Sequence, residues 1–392
     1  MIRLFIFIIL QFACNCYAVV DHPQEVIVHQ TIANYMQQYH VPGVAVELYI
    51  DGKPYSYYFG YANREKKNPV TGQTIFEVGS ISKVMTSLLL AQEIDAAKMQ
   101  LDDSITKFIQ TLPATYEDIT LKNLATHTSG LPFNPPASVT TQVAFSKYLQ
   151  EWKPQYEADS EWIYSNVGMN MLGYSIEAAT RKNFNQLYLK KIAKPLGMQP
   201  LGLTVPRSYQ KYYAQGYDQN AQPIKPFQIK LSSFAGGIKA SAQDMQRFLS
   251  AAIGLPGTPE RIFYPMRMTQ AAYVELPDKM QGLGWEVNAI TRDNIADLIE
   301  NPKIIVLKAM EVVEIFDQPV FDGNLLIDKT GATEGFRSYI ALIPNKKSGI
   351  VILTNKRAAD STIIKVGREI LFKLTKVSTQ RLEEENRIEN SS

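Results

Sequence analysis

The chain has 392 residues, of which 45% are hydrophobic and 20% charged, an ordinary globular composition with enough apolar residues for about two domains. Its 40 basic and 38 acidic side chains leave a net charge of +2 and form no long basic run. The sequence therefore indicates neither a nucleic-acid nor an anionic-membrane partner.

The first 18 residues have the pattern of a signal peptide. Arg3 precedes a short apolar run over residues 4–10, and a small-x-small cleavage site ends at Ala18. This run is shorter than the ~20 apolar residues that span a bilayer, so export without stable membrane insertion is expected. Both cysteines, Cys14 and Cys16, precede the cleavage site, and the mature chain would hold no disulfide.

Helix and strand signals alternate in the first quarter of the chain. Apolar spacing predicts a helix over residues 24–39, which the following Pro-Gly pair ends. β-rich runs over residues 44–50 and 55–61 flank a hairpin turn at residues 51–54. A second helix is predicted from about residue 80 to residue 97.

The middle of the chain shows helical patterns between Pro- and Gly-rich loops, at residues 120–127, 139–152, 167–180 and 242–252. Strand patterns return near the C-terminus as an antiparallel meander over residues 325–329, 336–343 and 348–354, before a closing helix at 361–374. The polar tail, residues 377–392, has no periodicity and is expected to be disordered.

These patterns predict an α+β fold with an antiparallel sheet, flanking terminal helices and an inserted, mostly helical lobe. The sheet lobe combines residues 19–97 and 286–376, and the helical lobe takes residues 98–285. An active site is expected at the seam between the two lobes.

Ser80 and Lys83 open the second predicted helix. A helix N-terminus favours negative charge, because its backbone N–H groups are free and its dipole end is positive. Lys83 follows one turn later on the same face, and a partly buried lysine with a lowered pKa can take the serine proton. We therefore predict that Ser80 is an acylated nucleophile.

S-x-x-K alone is a weak signal, because further examples begin at Ser104 and Ser208. Context separates them, since Ser104 has the pattern of a helix cap and Ser208 lies in an exposed polar stretch. Two more motifs lie in informative contexts: Tyr-Ser-Asn at residues 164–166, on a loop ahead of a helix, and Lys-Thr-Gly at residues 329–331, at the end of a strand. Chance rarely produces three such motifs together.

The strings at residues 79–83 (GSISK), 164–166 (YSN), 281–286 (QGLGWE) and 329–336 (KTGATEGF) resemble the class C β-lactamases, the serine cephalosporinases of the penicillin-recognising family. The resemblance runs from about residue 24 to residue 375. It points to class C because Tyr-Ser-Asn stands where class A enzymes carry Ser-Asp-Asn.

The resemblance implies that Ser80 is acylated while Lys83 and Tyr164 share its proton and deliver it to the lactam nitrogen. Lys329 would join Lys83 in lowering the pKa of Tyr164, which is near ~10 for a free phenol. Backbone N–H groups of Ser80 and Ala332, the latter on a strand after the Lys-Thr-Gly turn, would hold the oxyanion. The mechanism needs no cofactor and no metal.

The substrate-binding residues that the resemblance implies are Asn166, Thr330, Gly331 and Asn134. Asn166 would bind the substrate's side-chain amide, and Thr330 with Lys329 its carboxylate. Asn134 stands where class C enzymes commonly carry the longer Gln.

Other positions depart from the class C pattern. Gly236-Gly237 stands where a Tyr-Gly pair is common, so the pocket lacks an aromatic wall. Asp360 falls near an Asn that binds the carboxylate in many members, and an acid there would repel the substrate. Arg337 is a candidate to compensate, whereas strand alternation should point Asp328 to the opposite face. His127 is expected to be a buried turn histidine and Glu286 a structural residue.

The leading hypothesis is therefore a periplasmic serine β-lactamase that confers antibiotic resistance, acts on a small-molecule β-lactam and is expected to be a monomer. Two alternatives stay open. One is a D-Ala-D-Ala carboxypeptidase or an esterase of the same fold, acting on peptidoglycan or ester substrates. The other is a β-lactam-binding protein that acylates Ser80 without turnover.

Overall fold

The computed structural model of the protein describes residues 23–226, 231, 233–302 and 308–375. The predicted signal peptide (residues 1–18) and polar tail (residues 377–392) lie outside these residues. The helices are α1 (Pro23–Tyr39), α2 (Ile81–Asp95), α3 (Leu121–Thr126), α4 (Gln142–Glu151), α5 (Asn166–Thr180), α6 (Phe184–Tyr188), α7 (Ser233–Gly236), α8 (Ala242–Ile253), α9 (Glu260–Gln270), α10 (Ile295–Glu300) and α11 (Asp360–Thr375).

The strands are β1 (Gly43–Ile50), β2 (Lys53–Asn63), β3 (Asn68–Pro69), β4 (Ile75–Glu77), β5 (Glu161–Trp162), β6 (Gly216–Tyr217), β7 (Pro223–Ile224), β8 (Lys239–Ser241), β9 (Ala272–Leu276), β10 (Lys279–Gln281), β11 (Glu286–Ala289), β12 (Met310–Glu311), β13 (Glu314–Val320), β14 (Leu325–Ala332), β15 (Arg337–Ile343) and β16 (Ser348–Thr354). The mixture of helices and antiparallel strands confirms the predicted α+β class.

Ten strands form one antiparallel sheet in the order β13-β9-β10-β11-β14-β15-β16-β1-β2-β3. β1 pairs with β2 through a tight turn and, on its other side, with β16 from the far end of the chain. Asp51 and Gly52 make that turn with φ values of 49° and 78°, the positive pair that suits the twist of a hairpin. The predicted hairpin and the β14–β16 meander are confirmed.

Alternation along β1 divides the apolar core into two layers. Val44, Val46 and Leu48 pack in the layer formed with α1 and α11. Ala45 faces a larger layer on the other side of the sheet, which includes residues of α2, α5 and α8. Both faces of the sheet are therefore covered, which explains why β1, β15 and β16 are almost entirely buried.

The C-terminal part of the sheet begins earlier in the chain than the predicted residue 286. Strands β9 and β10 belong to it, although both lie inside residues 98–285, the segment assigned to the helical lobe. The boundary at residue 286 is therefore too late for the sheet. These strands are only five and three residues long and are separated by Pro277-Asp278, so the sequence offers little alternation from which to detect them.

The Lys-Thr-Gly motif lies within β14, which continues to Ala332. The expectation that the motif forms a turn, with Ala332 on the next strand, is therefore wrong. Within the described ranges, none of the helices combines the length and apolar character needed to cross a bilayer.

Candidate active site

Ser80 is the N-cap residue of α2, as predicted. Its side chain makes no capping hydrogen bond within the described part of the chain, so the hydroxyl is not committed to the helix. Instead, the Nζ atom of Lys83 lies 3.1 Å from the Ser80 Oγ atom. Ser80 is partly exposed whereas Lys83 is fully buried, so the hydroxyl is accessible and its neighbouring amine is shielded.

The ammonium group of Lys83 has three donors and finds three acceptors. Besides Ser80, it donates to Oδ1 of Asn166 at 2.7 Å and to the carbonyl oxygen of Ala235 at 2.9 Å. Burial lowers the pKa of Lys83 to about 8, despite the opposing effect of Tyr164. A lysine with such a pKa can exchange a proton near neutral pH.

Tyr164 lies between two cations. The Nζ atoms of Lys83 and Lys329 are 4.7 Å and 4.9 Å from the centre of its ring. Burial would raise the pKa of Tyr164, but the charges of Lys329 and Lys83 lower it overall. The phenol can therefore lose its proton more readily than a free tyrosine.

A tight set of hydrogen bonds fixes the loop that carries Tyr164 and Asn166. The Ser165 backbone N–H donates to Nδ1 of His127 at 3.3 Å, and the Ser165 hydroxyl donates to the carbonyl oxygen of Pro132 at 2.7 Å. The Asn166 N–H donates to the carbonyl oxygen of Phe133. The turn at residues 127–133 therefore supports the Tyr-Ser-Asn motif, and its sequence shares in forming the site.

His127 is a buried turn residue, as predicted. It has a φ of 67° at the end of α3, and only 1% of its surface is exposed. Burial and the nearby lysines, Lys83 first among them, hold its pKa well below the usual range. His127 is therefore a neutral acceptor for the Ser165 N–H, and it carries no positive charge into the site.

Lys329 projects from β14 into the same cluster. Its Nζ atom is 3.4 Å from Oε1 of Glu286, and both side chains are buried. Burial alone would lower the pKa of Lys329, but Tyr164 and Glu286 raise it overall, so Lys329 is a permanent cation at neutral pH. Glu286 contacts the site through Lys329 and not through Ser80, which agrees with the structural role predicted for it.

Two glycines let β14 approach the start of α2. A Cβ atom on Gly79, whose φ is 51°, would stand 2.5 Å from the Ala332 backbone nitrogen. A Cβ atom on Gly331 would stand 2.0 Å from the carbonyl oxygen of Val78. The backbone of Ala332 is therefore next to Ser80, where the sequence predicted an oxyanion-binding N–H group.

The fold brings the predicted site residues into one region. The Asn166 Nδ2 atom donates to Oδ1 of Asn134 at 2.9 Å, which joins two of the predicted substrate-binding residues. Thr330 lies on β14 between Lys329 and Gly331 and is 9% exposed. Every residue singled out for catalysis or substrate binding thus belongs to the Ser80 cluster, to its rim or to the strand beside it.

The expectations for Asp360 and Arg337 are wrong. The two side chains form an ion pair, so neither meets a substrate carboxylate as an unpaired charge. Arg337 also donates to the carbonyl oxygens of Thr333 and Phe336, and alternation along β15 points it away from Ser338, which contacts Val78 beside the nucleophile. By contrast, Asp328 does face away from the site, where it accepts hydrogen bonds from Arg368.

The competing S-x-x-K motif at Ser104 has a structural role. The Ser104 hydroxyl accepts from the Thr106 N–H and caps a short 3-10 helix, as its context predicted. Lys107 pairs with Asp103 at 2.6 Å.

Two contributors to the site were missed in the sequence. The Ala235 carbonyl oxygen accepts from Lys83, and Lys279 on β10 pairs with Glu286 at 3.0 Å. Ala235 has no chemical signature that could reveal it. Lys279 could have been found from the tight connection between Gln281 and Glu286. A hairpin there pairs these two residues, and Lys279, two residues before Gln281, is then the diagonal neighbour of Glu286 on the same face.

A protein-family model described as Beta-lactamase matches residues 28–369. The chain belongs to the β-lactamase family. A β-lactamase of Lysobacter lactamgenus is 32% identical over 375 residues, which cover 94% of this chain and 97% of that protein. The Ser80 cluster therefore lies in a chain that matches its relatives over nearly their full length.

Solved structures identify the branch of the β-lactamase family. A class C β-lactamase in complex with cefoxitin is 29% identical, with a TM-score of 0.83 over 89% of this chain and 98% of that one. A β-lactamase/D-alanine carboxypeptidase from Pseudomonas syringae is 27% identical, with the same TM-score over 89% of this chain and 99% of that one. The resemblance to the class C β-lactamases is confirmed.

Proposed function

We propose that the protein hydrolyses the β-lactam ring of cephalosporins and penicillins through an acyl-enzyme on Ser80. The observation that carries the proposal is the convergence on one serine of a buried lysine with a pKa of about 8 and a tyrosine with a lowered pKa. Such a cluster can accept the serine proton near neutral pH and return it within the same site.

In the proposed reaction, Ser80 Oγ attacks the lactam carbonyl and its proton passes to the Lys83–Tyr164 pair. The C–N bond of the ring then breaks, and the ring nitrogen takes that proton. Backbone N–H groups of Ser80 and Ala332 bind the developing oxyanion at the start of α2. Lys329 keeps its charge throughout, which favours the deprotonated phenol.

The substrate carboxylate is proposed to bind beside Lys329 and Thr330, with Gly331 forming the strand edge. Asn166 and Asn134 would bind the side-chain amide. Water, activated by Tyr164 or by the substrate's own amine, then hydrolyses the ester of Ser80 and regenerates the enzyme.

The proposal can be tested on the mature protein with a chromogenic cephalosporin and a penicillin, with intact mass measured at early times. Turnover should vanish in Ser80→Ala. It should persist in Ser208→Ala, the matched control, because Ser208 belongs to an exposed S-x-x-K motif. A stable adduct on Ser80 without turnover would refute hydrolysis and indicate a β-lactam-binding protein.

A second candidate function is D-Ala-D-Ala carboxypeptidase activity through the same serine. Two points favour it. The Pseudomonas syringae neighbour is named for both activities, and Gly236-Gly237, directly after the Ala235 that contacts Lys83, has no side chain where class C enzymes commonly carry a Tyr-Gly pair. Release of D-Ala from a peptide ending in D-Ala-D-Ala, lost in Ser80→Ala, would establish it. Ester hydrolysis can be measured in parallel.

We also propose export to the periplasm, removal of residues 1–18 and action there as a monomer that protects the cell from β-lactams. The signal-peptide pattern supports export. The mass of the protein recovered from the periplasm should correspond to a chain beginning at Val19. We further propose that the chain is organised in two lobes, with the active site between them.

A further inference from the structure

Lys279 is buried next to the site, but the proposed mechanism does not use it. Its Nζ atom lies 3.0 Å from Oε2 of Glu286, and the other oxygen of that carboxylate, Oε1, lies 3.4 Å from Nζ of Lys329. The side chains of Lys279, Glu286 and Lys329 are 3%, 9% and 1% exposed. One carboxylate thus bridges two buried cations.

Lys279 also packs on the aromatic wall that supports Tyr164. Its Nζ atom lies 4.7 Å from the centre of the Trp162 ring, and the Trp162 indole N–H donates to Gln281 at 3.1 Å. The Trp162 ring centre is 6.1 Å from that of Tyr164. Lys279 therefore contacts the ring face of Trp162, and Gln281 accepts from its indole N–H. Both residues lie on β10, and the indole packs next to Tyr164.

We propose that Lys279 is a positioning residue that neutralises Glu286 and so leaves the charge of Lys329 available to Tyr164. With both lysines present, the three-residue cluster carries two positive charges and one negative, a net +1. Without Lys279, Glu286 would pair with Lys329 alone and the net charge would fall to zero. This inference rests on the proposed function, because it concerns how the proton of Ser80 is accepted.

Among the described residues, two lysines and one histidine contact the Tyr164 ring. Lys83 approaches from α2 and Lys329 from β14, and His127, at the end of α3, is neutral. The Lys279–Glu286 pair lies behind Lys329, on β10 and β11.

Arg368, on α11, is a third cation that acts on Glu286, and it is paired with Asp328 at 2.7 Å. Burial opposes ionisation of Glu286, but Lys279 more than Lys329 brings its pKa below the usual range. Lys279 is therefore the main counter-charge of this carboxylate.

The inference is tested by the pH dependence of Ser80 acylation in Lys279→Met, Lys279→Arg, Glu286→Gln and the double variant Lys279→Met/Glu286→Gln. Loss of Lys279 should move the acid limb of the rate profile to higher pH by about one unit, because a phenolate is stabilised less by a neutral cluster. Lys279→Arg should keep the wild-type limb. Glu286→Gln should move the acid limb to lower pH. In the double variant the cluster again has a net charge of +1, so its acid limb should return to the wild-type pH.

A purely structural Lys279 would give a loss of rate at every pH without a shifted limb, and that result would overturn the inference. The inference would also be overturned if the acid limb of the double variant were shifted as far as that of Lys279→Met. If Lys279→Met does not fold, the double variant is compared with Glu286→Gln. A limb that lies at higher pH in the double variant supports the inference, and identical limbs in the two variants would overturn it.

Two probes separate this inference from the proposed function. A fluorophosphonate labels an activated serine without a β-lactam, so the pH profile can be measured even if cephalosporins are not hydrolysed. A wild type that labels but does not hydrolyse would refute the proposed function alone. A wild type that does not label would refute both.

Discussion

The Nζ atom of Lys83 lies closer to Oδ1 of Asn166, at 2.7 Å, than to Oγ of Ser80, at 3.1 Å. Asn166 accepts from the lysine through its oxygen and donates through its nitrogen to Asn134. A side chain expected to bind only the substrate amide therefore also fixes the candidate base. Its loss should affect the chemical step as well as binding.

We predict that Asn166→Ala lowers the rate of Ser80 acylation on the order of 10²-fold, because the Lys83 ammonium loses its shortest hydrogen bond and its alignment with Ser80. Stopped-flow measurement with a chromogenic cephalosporin gives this rate separately from substrate binding. Asn134→Ala is the control, since it removes only the outer partner of Asn166 and should act mainly on KM. Equal effects of both variants on KM alone would contradict a role of Asn166 in holding Lys83.

Gly79→Ala should abolish activity and destabilise the fold. Its Cβ atom would stand 2.5 Å from the Ala332 nitrogen, so β14 must move away from Ser80. Gly197→Ala is a matched control, because Gly197 also has a positive φ, 67°, but no atom lies within 4 Å of the added Cβ. The control should lose only about 1 kcal/mol of stability and keep its activity. Thermal melts and hydrolysis rates of the two variants check the comparison, and full activity in Gly79→Ala would refute the close approach.

Lys83 should make stability depend on pH. Its pKa falls from the ordinary 10.5 to about 8 on folding, so between these values the unfolded chain binds a proton that the folded chain does not. The free energy of unfolding therefore rises with pH across this window, by up to about 3 kcal/mol relative to Lys83→Met. Urea unfolding of both proteins at pH 7.5, 9 and 10 measures the difference. A constant difference over this range would show that Lys83 is not desolvated.

Glu47 should have the opposite effect at lower pH. This carboxylate on β1 is fully buried, and burial raises its pKa from 4.5 to about 7 although Ser56 and Tyr58 donate hydrogen bonds to it. Between pH 4.5 and pH 7 the folded chain keeps a proton that the unfolded chain loses. The contribution of Glu47 to the free energy of unfolding is therefore fully present below pH 4.5 and is lost as the pH rises to 7.

Replacing Glu47 by Gln should remove this loss, so the variant should gain up to about 3 kcal/mol on wild type between pH 4.5 and pH 7. Urea unfolding at the two pH values provides the measurement. Ser56→Ala is a useful companion, because it removes one donor to Glu47 and should not abolish the dependence. A Gln variant with the wild-type pH profile would contradict the raised pKa.

The sequence was sufficient to predict the parts of the site that local structure controls. Ser80 at a helix start and Tyr164 ahead of a helix both depend on nearby residues, and both are where the pattern placed them. The hairpin at Asp51-Gly52 was predictable for the same reason, since a two-residue turn has few solutions.

Features that depend on distant pairings were not predictable. The Arg337–Asp360 ion pair requires knowledge of which face of β15 meets the start of α11. The acceptor at Ala235 is a backbone atom, which every residue possesses. The strand β13, at the sheet edge, is mostly exposed and carries no buried alternating pattern.

The pairing of β1 with β16, in which Val44 lies opposite Thr354, has a consequence for the order of events in folding. The β1–β2 hairpin leaves the ribosome long before β16, so one edge of β1 has no partner until β16 has been made. A sheet closed by such long-range contacts folds slowly, and its open edge is exposed to aggregation in the meantime. The chain should therefore reach its native state only after synthesis is complete, and a truncation that removes β16 should leave the hairpin dependent on chaperones.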